Sequence, residues 1–186
     1  MDVREILLLA YAALDGEIKG KTALQKKIYF IGLLTGMLED LKYKPHYYGP
    51  YSPTVESANG ELQALGFLES KTVGFGSLDS AGFEVTRTDY RLTEAGGRIA
   101  EGKKTQRPTE WDAIERAAKK IEGAGNYNYM ELSIAAKTHY ILKDHEKAAT
   151  AREVRQKALQ LGWEMSDVNI EKAIEFLERI ELVSKA

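Results

Sequence analysis

Apolar side chains recur at helical spacing through most of this chain. The first run predicts a helix over about residues 3–15, and a second run predicts a helix over about 22–37. The second helix carries apolar or aromatic residues around most of its circumference, so we expect it to be buried on more than one side. Thr22 and Gln25 have the spacing of a capping box at its start.

The segment His46-Tyr47-Tyr48-Gly49-Pro50-Tyr51-Ser52-Pro53 then interrupts the helical pattern. Its Gly49-Pro50 pair predicts a sharp turn. Ser52 and Pro53 predict the N-cap and first position of a third helix, about 53–65, because proline lacks the N–H that this position leaves unpaired.

A stretch rich in β-branched and aromatic residues follows, and it predicts a β-hairpin over about 67–92. Its glycines predict a flexible tip. The apolar positions change parity along the second strand, which predicts a bulge or strong twist near Arg87–Asp89. A short helix is expected to start near Thr93, and the glycine and basic residues of 96–108 predict a connector.

The rest of the chain is helical in pattern. Thr109, Thr150 and either Ser166 or Asp167 are candidate N-caps. The predicted helices cover about 110–122, 130–143, 151–161 and 167–181. We therefore predict a mainly α fold with one β-hairpin: a winged-helix-like unit at 1–105, followed by a helical domain at 106–186.

Composition narrows the classes of function. The 186 residues are 44% hydrophobic and 29% charged, with a net charge of −2 and no cysteine. No global positive field draws the molecule to nucleic acid, and neither disulfides nor thiolate chemistry is available. No apolar run is long enough for a membrane span. We expect a cytoplasmic protein.

Catalytic chemistry finds little support in the sequence. The three histidines include His139 and His145, which are six residues apart and therefore not placed to share one metal ion on a helix. His139 lies on an apolar stripe and is interpreted as a hydrogen-bonded core residue. Common nucleotide-binding, hydrolase and metalloprotease motifs are absent. We predict no enzyme activity, no cofactor and no metal.

A winged helix raises the possibility of DNA binding through the third helix. Residues 45–70 contain no lysine or arginine, so this helix offers no cation to phosphate. Asn59 and Gln63 are spaced to contact adenines, but they lack cationic neighbours. A DNA-binding regulator is therefore the alternative hypothesis, with positive charge supplied from elsewhere. Its candidate contact residues are Lys21, Lys26, Lys27, Lys71 and Arg87.

The preferred hypothesis places another protein on the tyrosine-rich segment. Tyrosine buries an apolar ring while its hydroxyl stays wet, which suits a binding surface. The candidate partner-binding residues are Tyr47, Tyr48, Tyr51, Asn59 and Gln63.

Two short motifs resemble the Panacea domain of SocA-type antitoxins and related prokaryotic proteins. The matching positions are Leu24, Gln25, Lys26, Tyr29 and Phe30, then Tyr48, Gly49, Pro50 and Pro53. The resemblance covers roughly residues 5–95, and Tyr51 stands where an aliphatic residue is expected. It implies a non-catalytic protein that binds another protein, such as a toxin or a protease component, without a cofactor.

Overall fold

The computed structural model describes residues 1–78, 84–143 and 149–184. Within these residues the fold is mainly α with one small antiparallel sheet, which confirms the predicted fold class. The elements are α1 (Val3–Ala13), β1 (Glu17–Lys19), α2 (Lys21–Thr35), α3 (Leu38–Leu41), α4 (Pro53–Ala64), β2 (Leu68–Leu78), β3 (Glu84–Leu92), α5 (Glu94–Gln106), α6 (Pro108–Gly123), α7 (Tyr129–Leu142), α8 (Ala151–Gln160) and α9 (Asp167–Arg179).

The start of α2 differs from its prediction. The helix begins at Lys21 after Gly20, which has a φ of 98° and provides no side-chain cap. Thr22 therefore lies inside the first turn, and Gln25 is 2% exposed. The predicted capping box is wrong because the amide of Gln25 bonds elsewhere in the fold. The burial of α2 on several sides is confirmed.

The start of α4 agrees with its prediction. The Ser52 side chain accepts a hydrogen bond from the Val55 N–H, and Pro53 occupies the first helical position. The Ser52 hydroxyl also donates to the carbonyl of Leu41, so one buried residue joins α3 to α4. Neither the four-residue helix α3 nor the three-residue strand β1 was predicted, since both are too short to show a period.

The sheet has the order β1-β3-β2, with both pairs antiparallel. The β2–β3 register is continuous from the Leu68–Leu92 pair to the Gly74–Thr86 pair. The bulge predicted near Arg87–Asp89 is therefore wrong, and the register shifts between Gly74 and Leu78 instead.

The strong twist, which the sequence offered as the other explanation for the change of parity in β3, stays a prediction. Val85, which lies farther from the base of the hairpin, is 39% exposed, so an apolar residue there does not indicate which face of β3 is buried. The predicted flexible tip falls on residues 79–83, which lie outside the described residues.

The predicted connector at 96–108 is wrong. α5 continues to Gln106, and α6 begins at Pro108, so Thr109 is not its cap. Thr93 does cap α5, by accepting from the Gly96 N–H at 3.0 Å. Gly96 is buried, and its lack of a side chain serves close packing instead of flexibility.

The last three helices have side-chain caps. Thr150, a predicted N-cap, forms a capping box with Glu153 at the start of α8, and Ser166, one of two candidates, caps α9. At α7 an unpredicted capping box joins Asn128 and Glu131.

The larger buried cluster draws apolar side chains from both halves of the chain. Ile28 of α2, Ile114 of α6 and Phe176 of α9 all belong to it. A smaller cluster surrounds Trp163 beneath α7 and α8. The two predicted domains, 1–105 and 106–186, thus share buried residues. Over the residues described, no helix combines the length and apolarity needed to cross a bilayer.

Candidate functional site

The tyrosine-rich segment forms a closed loop, here called the tyrosine loop (residues 44–52). Lys44 and Tyr51 exchange two backbone hydrogen bonds, each 2.9 Å long, which close its base. The Gly49 N–H donates to the His46 carbonyl at 2.8 Å and makes a tight turn at the tip.

Gly49 is needed here for two independent reasons. Its φ is +88°, a conformation that residues with a side chain rarely adopt. A Cβ at this position would also lie 2.8 Å from Cγ of Lys137 on α7. The loop therefore approaches α7 as closely as its backbone allows.

Two side chains from the second half of the chain hold the tip of the loop. The Trp163 indole N–H donates to the His46 carbonyl at 2.8 Å. The Ser133 hydroxyl, on α7, donates to the Tyr48 carbonyl at 2.7 Å. Trp163 is 1% exposed and belongs to the smaller hydrophobic cluster, so the tip is fixed to a packed support.

Two consecutive side chains of α2 hold the other end of the loop. Lys26 Nζ donates to the Pro50 carbonyl at 2.5 Å. The amide of Gln25 donates to the Ser52 carbonyl at 3.0 Å and accepts from the Ser52 N–H at 2.9 Å. The loop backbone is thus hydrogen-bonded to side chains on both sides.

The tyrosine rings differ in exposure. Tyr47 is 69% exposed and Tyr48 is 55% exposed. Their rings make an edge-to-face pair with centroids 4.9 Å apart. Tyr51 is partly buried, and its ring lies 5.0 Å from that of His46. A fixed backbone therefore presents two adjacent aromatic side chains to solvent.

A pocket of about 350 Å³ opens between the loop and the start of α2. Its walls combine aromatic rings with cationic and hydrogen-bonding groups. The lining residues are Lys21, Thr22, Gln25, Lys26, His46, Tyr48 and Tyr51.

Lys26 is an unusual lining residue because it is 1% exposed. Burial, with a smaller contribution from the charge of Lys137, lowers the pKa of Lys26 to about 7. Burial also lowers the pKa of Lys137. A buried amine on α2 thus lines this pocket, and a partly buried amine on the facing helix α7 adds to the positive charge around it.

Behind Lys26, a group of aromatic residues fills the space between α2 and α7. The Tyr29 hydroxyl and Nδ1 of His139 are hydrogen-bonded at 3.0 Å. Burial, followed by the charge of Lys143, lowers the pKa of His139 to about 4. The hydroxyl of Tyr43 donates to the Gln25 carbonyl at 2.6 Å. His139 is therefore a hydrogen-bonded core residue, as predicted.

The two amides proposed for partner binding lie on α4, away from these loop contacts. Asn59 is 3% exposed and accepts a hydrogen bond from the Tyr11 hydroxyl at 2.8 Å. Gln63 is partly buried and donates to the Asn59 carbonyl at 3.3 Å. The structure thus places Asn59 in the core, where Tyr11 occupies its acceptor.

The candidate DNA-contacting cations do not form one free patch. Lys21 is paired with Glu56, and Lys27 is paired with Glu122 at 2.6 Å. Lys26 is buried. On the hairpin, Arg87 is paired with Asp89 at 2.6 Å, and Lys71 is exposed.

The outward surface of α4 offers acidic and small residues, including Glu56 and Glu61. Glu61 lies 3.4 Å from the Arg4 guanidinium. No cation projects from the helix itself, so the electrostatic objection raised by the sequence also applies to the folded surface.

In residues 1–78, 84–143 and 149–184, no group of three or more His, Asp or Glu side chains is arranged to hold a metal ion. No protein-family model matches the chain. A search of curated proteins likewise found no significant match.

Sequence reasoning did not identify the residues that support the loop. These residues, which lie more than 80 positions from the loop in the sequence, are Ser133, Lys137 and Trp163. Ser133 and Tyr48, for example, are 85 residues apart. No local pattern marks such partners. The adjacent residues Gln25 and Lys26 of the first Panacea-like motif could have indicated part of this support, because both side chains contact the loop.

Proposed function

We propose that this chain is a non-enzymatic protein-interaction module of antitoxin or adaptor type, acting in the cytoplasm. Its partner would bind at the exposed rings of the tyrosine loop. The observation that carries the proposal is the pairing of two solvent-exposed rings, Tyr47 and Tyr48, with a backbone held by Gln25, Lys26, Ser133 and Trp163.

The energetic argument is one of preorganisation. Exposed tyrosine rings bury a large area on binding and immobilise few torsions, which is why they recur as interface anchors. A loop that is already ordered loses little conformational entropy when its partner arrives. The tyrosine loop combines both properties.

We further propose that the first half of the chain is a winged-helix-like unit. The order α1-β1-α2-α4-β2-β3, with the sheet order β1-β3-β2, supports this assignment, and α3 is a short insertion before the tyrosine loop. In this arrangement α4 takes the place of the recognition helix.

The resemblance to the Panacea domain gives the partner a class, again as a proposal. Gln25, Lys26, Gly49 and Pro50 carry the resemblance, and they lie together in one hydrogen-bonded cluster. A structural role for this motif suits a family whose members act by binding a toxin or a protease component.

The DNA-binding alternative is less well supported. Of its candidate cations, Lys21, Lys27 and Arg87 are paired with carboxylates, and Lys26 is buried. Such pairing leaves little charge for the counterion release on which DNA affinity depends.

The proposal is tested by quantitative pull-down from cells that naturally produce the protein. Three baits are compared: the wild type, the double variant Tyr47→Ser/Tyr48→Ser, and Tyr129→Ser. Tyr129 is a matched control because it is 53% exposed but lies on α7 outside the loop. We expect the wild type and Tyr129→Ser to capture the same partner and the double variant to lose it.

Titration of each variant with the purified partner then measures how much binding free energy the two rings contribute. Loss of two anchoring rings should weaken binding by at least about 2 kcal/mol, or roughly 30-fold. The substitutions are at exposed positions, so stability should change by no more than about 0.5 kcal/mol. A partner that binds all three baits equally would contradict the assignment of the tyrosine loop.

A further inference from the structure

Lys26 places a nearly fully buried ammonium beside the pocket. An ammonium has three N–H donors. The Pro50 carbonyl takes one of them, and it is the only hydrogen-bond acceptor that the described residues provide for Lys26. Buried polar groups normally have partners, and buried charges normally have opposite charges nearby. Two donors of Lys26 therefore remain for a ligand.

The surrounding charge is positive. Lys21 on α2 lines the pocket but is paired with Glu56 of α4, and Lys137 faces Lys26 from α7. His46 lines the pocket from the tyrosine loop. No aspartate or glutamate is among the lining residues. The protein itself thus leaves the charge of Lys26 without a counterion.

We propose that this pocket binds a small organic acid, with the carboxylate of that acid hydrogen-bonded to the Lys26 ammonium. This is a ligand site in addition to the proposed protein-binding surface, and it requires no protein partner.

The charge balance favours a carboxylate over a phosphate. Lys26 is one buried positive charge, which one negative charge compensates, and Lys21 is already paired with Glu56. Thr22 lies in the first turn of α2, whose positive dipole end favours a bound anion of either kind.

The pocket walls favour a planar apolar body for the acid. The Tyr51 and His46 rings lie 5.0 Å apart at 35° to each other. Tyr48 also lines the pocket and is 55% exposed, so its ring borders the entrance. A volume of about 350 Å³ accommodates a ring-sized ligand.

Benzoate is a suitable probe, and benzamide is its neutral counterpart of the same shape. Calorimetric titration of the wild-type protein at pH 6.5 should show benzoate binding at least tenfold more tightly than benzamide. Lys26→Met should weaken benzoate binding by roughly 10- to 100-fold, since it removes a charged hydrogen-bond donor. Lys27→Met is the matched control, because Lys27 is paired with Glu122 and does not line the pocket.

Equal binding of benzoate and benzamide, or no binding of either, would overturn the proposal. Tighter binding of inorganic phosphate than of benzoate would overturn the choice of a carboxylate. If Lys26→Met does not fold, the comparison of benzoate with benzamide on the wild type decides alone. Because both probes are used without a partner, failure in the pull-down and failure here are separate results.

Discussion

The imidazole of His139 is an uncharged group inside a helical core. It is 7% exposed and bonded to the Tyr29 hydroxyl, so protonation would place a charge where water cannot solvate it. Burial accordingly lowers its pKa from 6.5 to about 4. The unfolded chain therefore binds a proton at a higher pH than the folded protein does.

We predict a loss of stability on acidification that depends on His139. Between pH 6.5 and 4 the unfolded state binds more protons at this residue, so the free energy of unfolding falls as pH falls. The slope should reach at most about 1.4 kcal/mol per pH unit. In His139→Asn, which keeps an acceptor for Tyr29, this slope should be lost.

Urea denaturation at several pH values measures this effect. The measurements should stay above pH 4.5. The ordinary pKa of a glutamate carboxyl is 4.5, and the hydrogen bond with Lys103 lowers the pKa of Glu5, so Glu5 adds a pH dependence of stability below that value. An unchanged slope in His139→Asn would contradict the prediction.

At the same scale, local and non-local roles differ in how well sequence predicts them. Ser52 and Pro53 act on the helix that they begin, so their types and order were sufficient to predict both roles. The roles of Asn59 and Lys26 are not local. Asn59 bonds to the hydroxyl of Tyr11 on another helix, and Lys26 bonds to a carbonyl of the tyrosine loop. Their sequence neighbours do not contain that information.

At the scale of elements, two adjacent glycines of α5 have opposite surroundings. A Cβ on Gly96 would lie 2.0 Å from the Phe67 carbonyl oxygen, at the base of the hairpin. A Cβ on Gly97 would meet no atom within 4 Å. The sequence Gly-Gly suggested a connector, whereas the structure uses one glycine for close packing within a helix.

We predict opposite effects from the same substitution at these two positions. Gly96→Ala should destabilise the protein by at least about 2 kcal/mol, because α5 must move away from the hairpin. Gly97→Ala should stabilise it by roughly 0.5–1 kcal/mol through helix propensity. Thermal and urea denaturation measure both, and equal effects would contradict the packing argument.

At the scale of the whole molecule, both the core and the contacts of the tyrosine loop join the two predicted domains. α2 packs against α6 and α7, and Trp163 donates to the His46 carbonyl. The individual helices were predictable from their periods. Their mutual packing was not, because an amphipathic stripe shows that a helix has a partner without showing which one.

We therefore predict that the two halves unfold as one cooperative unit. In a Trp111→Phe background Trp163 is the remaining tryptophan, and it reports on the smaller hydrophobic cluster of the second half together with its contact to the His46 carbonyl. In this background Gly96→Ala, a change in the first half, should lower the denaturation midpoint of Trp163 fluorescence as much as that of far-ultraviolet circular dichroism. Gly97→Ala should raise both midpoints. If neither substitution changes the midpoint of Trp163 fluorescence, the result would instead support independent domains at 1–105 and 106–186. Shared buried residues such as Ile28 and Phe176 would then contribute little coupling between the two halves.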